Sequence, residues 1–327
     1  MPVNREFTVA DARLAVCVAT RGRTNSLLVL LNALERIQAP VGTQTVVVVV
    51  ENDRYGSLRE EVQRRSRAGH KFMYGLEPRM GIPFARNLAL RLAMTEGADY
   101  IAFIDDDEVP EHNWLAALWD KVRTGQYDLV GGPVEPFVSD TPRSWFSRQI
   151  WFGLLEQSDT SRKKAMCKSL DGLEHTIFVP TSNWMVRSDF VRQHALEFDE
   201  SMGFSGGTDL KFYRELVRIG GRVGWTDAAL VKEGLSHGRL TIGYQYRRAR
   251  DQAVSNFHVR HPRITVPLFF RGLIYSLGKL ITAFFWLILL PLYRGKALLR
   301  SVKGFGQAVG RWHAIHNRYA EHYRTVV

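Results

Sequence analysis

Residues 46–50 are five consecutive valines, in the stretch TQTVVVVVEND (residues 43–53). Successive side chains of a strand point to opposite faces, so an unbroken run of β-branched apolar residues suits a strand covered on both sides. Such a strand belongs to a parallel sheet with helices on each face, and the neighbouring sequence has matching punctuation. RLAVCVAT (13–20) reads as a short buried strand, followed by a helix at TNSLLVLLNALERIQA (24–39) with a Thr24/Asn25 cap. A polar helix near 56–68, a strand KFMYGLE (71–77) and a helix PFARNLALRLAMTEG (83–97), with Pro83 near its first turn, come next. The strand YIAFI (100–104) and a helix from Glu111 to Val122 continue the alternation. The class predicted is α/β with a mainly parallel sheet and right-handed crossovers, whose ligands gather beyond the carboxyl ends of the strands.

Two acidic groups sit at such ends. Asp53 closes the valine strand, and Asp105, Asp106, Asp107 and Glu108 follow YIAFI directly. If strand geometry persists to Asp107, Asp105 and Asp107 share one side and Asp106 the other. Carboxylates so placed repel unless a cation or hydrogen-bond donors lie between them. Hard oxygen ligands favour Mg²⁺ or Mn²⁺, and a substrate diphosphate completes the shell. The competing reading is a solvated turn whose Glu108 or Glu111 suits the dipole of the next helix. Farther on, GFSGGTDLKFYREL (203–216) sets a glycine pair before Asp209 at the start of a helix. There Asp209 can serve as a general base, or Thr208 and Asp209 only as an N-cap.

The chain has 327 residues, 45% of them hydrophobic, which is ordinary for a globular protein. Its two cysteines, Cys17 and Cys167, argue against a disulfide framework and for a reducing compartment. The N-terminus lacks the basic and then apolar order of a secretory signal. Net charge is +11, and from Arg263 onward ten Lys/Arg face the single acid Glu321. The same tail holds the strongest apolar segment, LIYSLGKLITAFFWLILLPLY (273–293), interrupted by Lys279. It can span with strain, lie in the interface or pack as a buried helix; the basic flanks favour anionic lipid at the cytoplasmic membrane surface. Nucleic acid is disfavoured, because the charge accompanies a hydrophobic anchor and not an aromatic-lined groove. Residues 139–173 are expected to form a looped excursion that closes over a ligand, and residues 244–259 a helix. The division expected is a catalytic domain over 1–240 and a helical, basic, membrane-associating region over 241–327.

Taken in order, VCVATRGR, VVVVVEND, RMGIPFARNLAL, FIDDDEVP, VPTSNWMVR and GFSGGTDLKFYREL resemble the family 2 glycosyltransferases and their glycosyltransferase A fold, over about residues 13–226. Within that family the chain is similar to bacterial exopolysaccharide (succinoglycan-type) glucosyltransferases, which add one sugar to a lipid-linked oligosaccharide. The resemblance implies that Asp53 recognises the base or ribose and that Thr20 and Arg21 lie beside the nucleotide. It implies that Asp105 and Asp107 are the acids of a DxD motif, Asp107 on the metal and Asp105 or Asp106 nearer the ribose, and that Asp209 is the catalytic base. Arg86 and Asn87 are candidate donor contacts, against the alternative of helix-surface residues. His237, in SHGR, is a candidate for completing the metal or diphosphate site, against that of a surface histidine. Trp184 and Met185 are either core or sugar platform. Arg21 and Arg23 are either solvated or neutralise a diphosphate. The implied reaction is an inverting transfer of one sugar from a nucleotide sugar, UDP-linked by expectation, at the cytoplasmic face of the inner membrane, with the tail attached peripherally or through one membrane segment. The chain departs from the family pattern at Thr208 and Lys211, where acids are usual, and lacks the QxxRW signature of processive polymerases. A metal-dependent nucleotidyltransferase and a non-catalytic membrane-tethered scaffold are the competing functions.

Overall fold

A computed structural model describes residues 12–67, 71–125, 127–203, 206–261 and 263–318. The N-terminal residues read above for a signal, and Glu321 and Arg324 of the tail, lie outside them. The first half alternates as expected: β1 (Ala12–Thr20), α1 (Thr24–Leu34), β2 (Thr43–Glu51), α2 (Arg59–Arg67), β3 (Phe72–Leu76), α3 (Ile82–Thr95) and β4 (Tyr100–Ile104). There follow β5 (Glu108–Pro110), α4 (Trp114–Gly125), β6 (Leu129–Gly131), β7 (Val134–Phe137), α5 (Trp145–Leu170), β8 (Asn183–Arg187) and α6 (Ser188–Gln193). The chain continues through α7 (Thr208–Arg218), β9 (Val223–Trp225), β10 (Val231–Gly234), α8 (Ile242–Arg260), α9 (Val266–Ile288) and α10 (Leu290–Ile315).

Seven strands form one sheet in the order β3-β2-β1-β4-β8-β6-β9. β1 pairs parallel with β2 and β4, β2 with β3, and β6 with β9; only β8 runs antiparallel to its neighbours β4 and β6. The valines of β2 behave as their pattern requires. Val46, Val48 and Val50 enter the core on one face with Ala85, Ala89 and Phe103, while Val47 and Val49 enter the other with Leu27, Leu31 and Trp114. Each such side chain contributes about 1.5–3 kcal/mol by leaving water. Trp184 and Met185 of β8 are fully buried, which makes them core.

Three expectations need correction. Helix α1 begins at Thr24 with Arg23 in the cap position and no side-chain cap bond; the Arg23 side chain is turned to the acidic cluster instead. The segment 139–173 is mostly one 26-residue helix, α5, begun by Ser144, whose hydroxyl accepts from the Ser147 amide. A helix takes the place of most of the expected loops. The apolar segment 273–293 is not continuous either: α9 ends at Ile288, and Pro291 lies in the first turn of α10. Proline has no N–H to carry on the preceding ladder but is compatible with a first turn.

Helix α10 fastens the C-terminal helices to the sheet domain by close backbone approach. A Cβ on Gly295 would lie 2.5 Å from the Gln149 carbonyl of α5, and one on Gly306 or Gly310 would lie 2.5 or 2.2 Å from carbonyls of α8. Glycine is what allows these helices to touch. Leu298, Leu299 and Val302 then pack with Ile150 and Leu240.

Candidate active site

The order β2-β1-β4 is the switch in strand order, because the chain leaves β1 on one side for β2 and β3 and returns on the other as β4. A crevice opens beyond the carboxyl ends at such a point. Thr20 ends β1 and Asp105–Asp107 follow β4, and the structure ties them together: the Thr20 hydroxyl donates to Asp106 Oδ2 at 2.8 Å.

The three aspartates do not alternate as a strand would. β4 stops at Ile104 and the chain turns before β5, so the three carboxylates face different groups, Asp106 and Asp107 sharing Arg23 and Asp105 pairing with Arg86. Asp106, 5% exposed, accepts from Thr20 and, at 3.0 Å, from Arg23 Nη1. Asp107 Oδ2 accepts from the same Arg23 nitrogen at 3.0 Å and from Arg239 Nη2 at 2.7 Å. Asp105 Oδ1 accepts from Arg86 Nη2 at 3.1 Å. Burial pushes Asp106 up to about 6 against the opposing pull of Arg23. Glu108 is pushed well above the ordinary range by burial and by the charge of Asp105, whose amide donates to Glu108 Oε2 at 3.0 Å. A small second sheet, β5-β10-β7, holds this turn in place. Glu108 of β5 lies opposite Glu233 of β10, and the Gly234 amide donates to the Asp107 carbonyl at 2.8 Å.

Asp209 stands in the first turn of α7, after Gly207 at φ 98°, a left-handed conformation that favours glycine. Its Oδ1 accepts from the Leu210 amide at 2.9 Å, and its charge repels that of Asp105. Arg86 spans the two elements, with Nη2 on Asp105 and Nη1 3.5 Å from the Thr208 hydroxyl. Thr208, where the family pattern has an acid, is thus a neutral acceptor beside the base candidate. Lys211 pairs with Asp199.

The other sequence candidates divide. Asp53 is half-exposed just beyond β2, its carboxylate accepting from the Arg54 amide at 2.6 Å, and Arg21 is half-buried beyond β1; both flank the crevice. Asn87 is 1% exposed and its amide is spent on the Phe198 backbone, donating to the carbonyl and accepting from the N–H at 2.8 Å each. It fastens α3 to the segment before α7 and leaves no group for a donor. His237 is exposed and lines a cavity with Asp140, Arg143 and Ser147. Among the described residues no three His, Cys, Asp or Glu form a ready-made metal cage. The residue of SHGR that reaches the cluster is Arg239, two positions on, and with Glu233 it escaped the sequence reading. A cationic neighbour in the same tetrapeptide was the available signal.

The donor set fits a divalent cation. Asp105, Asp106, Asp107, Glu108 and Glu233 crowd one crevice, answered by Arg23, Arg86 and Arg239. Carboxylate oxygens in excess of cations are what Mg²⁺ or Mn²⁺ takes, with one or two protein carboxylates sufficing. Asp105, whose side chain is 39% exposed, and Asp107, at 14%, are more accessible than Asp106 at 7%.

The family model described as Glycosyl transferase family 2 matches residues 15–194. The succinoglycan biosynthesis protein ExoM of Rhizobium meliloti (strain 1021) is 27% identical over 219 residues, which is 67% of this chain and 66% of that protein. The match thus spans just under two thirds of that relative's length. The structure of S. aureus TarS 1-349 in complex with UDP superposes with a TM-score of 0.51 at 14% identity, covering 92% of this chain and 91% of that one. The mannosyltransferase PcManGT from Pyrobaculum calidifontis, in complex with GDP-Man and Mn²⁺, gives 0.54 at 16% identity, covering 94% and 76%. At these identities the solved structures bear on the fold.

Proposed function

The chain belongs to glycosyl transferase family 2, with a glycosyltransferase A fold, and from that premise we propose that it transfers a single sugar, with inversion, from a nucleotide sugar to a hydroxyl of a lipid-linked or polysaccharide acceptor in exopolysaccharide synthesis. The observation that carries the reading is the convergence of Asp105–Asp107 and Asp209 on one crevice, joined through Arg86. The succinoglycan relative supports the acceptor class, and the UDP complex of a structural neighbour suggests a UDP-linked donor.

Asp53 would recognise the base or ribose from beyond β2. Thr20, Arg21 and Asp106 would border the nucleotide, with Arg23 and Arg239 neutralising the diphosphate. Asp105 and Asp107 would hold Mg²⁺ or Mn²⁺, which supplies charge stabilisation for the departing diphosphate. Asp209 would take the acceptor hydroxyl's proton as that oxygen attacks the anomeric carbon from the opposite side. Arg86 fixes the spacing between donor and base sides, so positioning provides much of the rate. The domain over 1–240 carries this chemistry, and the region over 241–327 keeps it at the cytoplasmic face of the membrane.

Purified protein is mixed with Mn²⁺ and a panel of nucleotide sugars, with and without membranes carrying lipid-linked acceptor. Metal-dependent release from one donor, lost in Asp107→Ala and enhanced by acceptor, is the expected result. Absence of binding and release with every donor would overturn the catalytic reading in favour of a scaffold.

A further inference from the structure

Helix α9 is 23 residues long and contains an 18-residue stretch of mean hydropathy 1.4; at 1.5 Å per residue it reaches about 34 Å and is long enough to cross a bilayer. Its surroundings argue otherwise. One face is packed along α10: Gly272 lies against Ile315, Ala283 lies against Gly304, and Ser276 between them is buried. Since α10 is fastened in turn to α5 and α8, α9 lies lengthwise on the body of the protein.

The opposite face is apolar and open. Phe270, Ile274, Leu277, Ile281, Phe285 and Ile288 recur at helical spacing, with Ile274 71% and Ile281 62% exposed. A helix on a water-soluble surface would turn this face inward, and a contiguous exposed apolar stripe marks an interaction surface. Leu292 and Tyr293, just beyond the α9–α10 junction, and Phe152 of α5, beside Gly295, are also exposed.

The polar groups show what covers the stripe. A spanning helix carries its cations and aromatic anchors at its two ends. In α9 they run along one flank: Arg271, then Tyr275 with Lys279 over its ring at 5.4 Å, then Trp286 with Arg300 over its ring at 4.4 Å. Lys279 is near the middle of the helix, where a span would place it at the bilayer centre. A cationic and aromatic border parallel to an apolar face suits a helix lying in the headgroup plane of anionic lipid.

We propose that α9 is a monotopic anchor, its Phe270–Ile288 stripe sunk into one leaflet of an anionic bilayer and its Arg271–Tyr275–Lys279–Trp286 flank at the headgroups. This deepens the membrane-face reading above and rests on it for the choice of a bilayer over a second copy of the chain.

Full-length protein is floated with phosphatidylglycerol-containing vesicles and with pure phosphatidylcholine vesicles, beside the double variant Ile274→Asp/Ile281→Asp. Both positions face solvent, so folding is retained, and thermal melting checks it. Binding is expected to prefer the anionic vesicles and to fall about a hundredfold in the variant, from the loss of two apolar insertions. Nitroxide labels at single cysteines, in a Cys167→Ser background, then report depth. In-plane insertion requires Ile281 and Phe285 deep but Thr282 and Arg271 shallow; depth that grows toward the helix centre regardless of face means a spanning helix and overturns the proposal. No vesicle binding also overturns it, and a dimer that the double variant dissociates would identify a second copy as the occupant. Flotation needs no donor sugar, so loss of turnover with flotation intact counts against the catalytic reading alone.

Discussion

Arg239 joins a carboxylate of the turn after β4 to one of β10: Nη2 donates to Asp107 at 2.7 Å and Nη1 to Glu233 at 2.9 Å. Its guanidinium bonds the Asp107 oxygen that a divalent cation would use, so the two compete until a diphosphate arrives and cooperate thereafter. Arg239→Gln is expected to lower the Mn²⁺ concentration for half-maximal turnover severalfold while raising the donor KM about tenfold, the loss of one charged contact to phosphate. Opposite movement of the two constants in a metal and donor titration checks this; parallel movement would sink it.

Asp209→Asn removes the base candidate without changing the shape of the first turn of α7. Turnover should drop by about 10²–10⁴-fold while donor affinity, measured by calorimetry, stays within a factor of about two. Full activity in this variant would reassign the base.

Arg86 is buried and bridges Asp105 to Thr208. Arg86→Met leaves Asp105 without its partner, and because that carboxylate is partly exposed the cost is discounted to about 2 kcal/mol in urea unfolding. Arg86→Lys should recover most of the stability but not the turnover, since an ammonium cannot serve both acceptors in fork geometry.

Acid sensitivity should centre on Glu51, at the end of β2. Burial acts to raise its pKa, but hydrogen bonds from the Ser57 hydroxyl and amide, Tyr74 and the Leu58 amide hold it below the ordinary carboxylate range. With the folded pKa depressed, the stabilisation is complete above the unfolded-state pKa and disappears as pH falls through the folded one. Glu51→Gln should therefore cost about 2 kcal/mol at neutral pH and flatten the acid limb of a melting-temperature profile. An unchanged acid limb would contradict it.

Gly295 tests the attachment of the C-terminal helices. A branched side chain there meets the Gln149 carbonyl and the Gly153 amide of α5. Gly295→Val should cost about 1–3 kcal/mol by overpacking and expose α9–α10 to limited proteolysis before the sheet domain is cut. Simultaneous cleavage of both parts would argue against it.

The sequence by itself determined the sheet and the end of it that carries the chemistry. Five β-branched residues in a row suit a strand covered on both faces, and the split of Val46, Val48 and Val50 from Val47 and Val49 follows from the two-residue period of a strand. The carboxylates stand directly after β4, so their arrival at the carboxyl edge needed no knowledge of distant contacts. Tertiary structure alone decided which cation meets which carboxylate, because the strand period ends at Ile104 and the turn is set by pairing with β10, more than a hundred residues away. That pairing brings Arg239 to Asp107, a contact that residue type alone could not foretell. The same holds for Asn87, whose amide is consumed by the backbone at Phe198, and for the apolar tail. Hydropathy there measured how much surface must leave water, but only the packing of α9 on α10 showed that one face of the helix is already covered and which face remains.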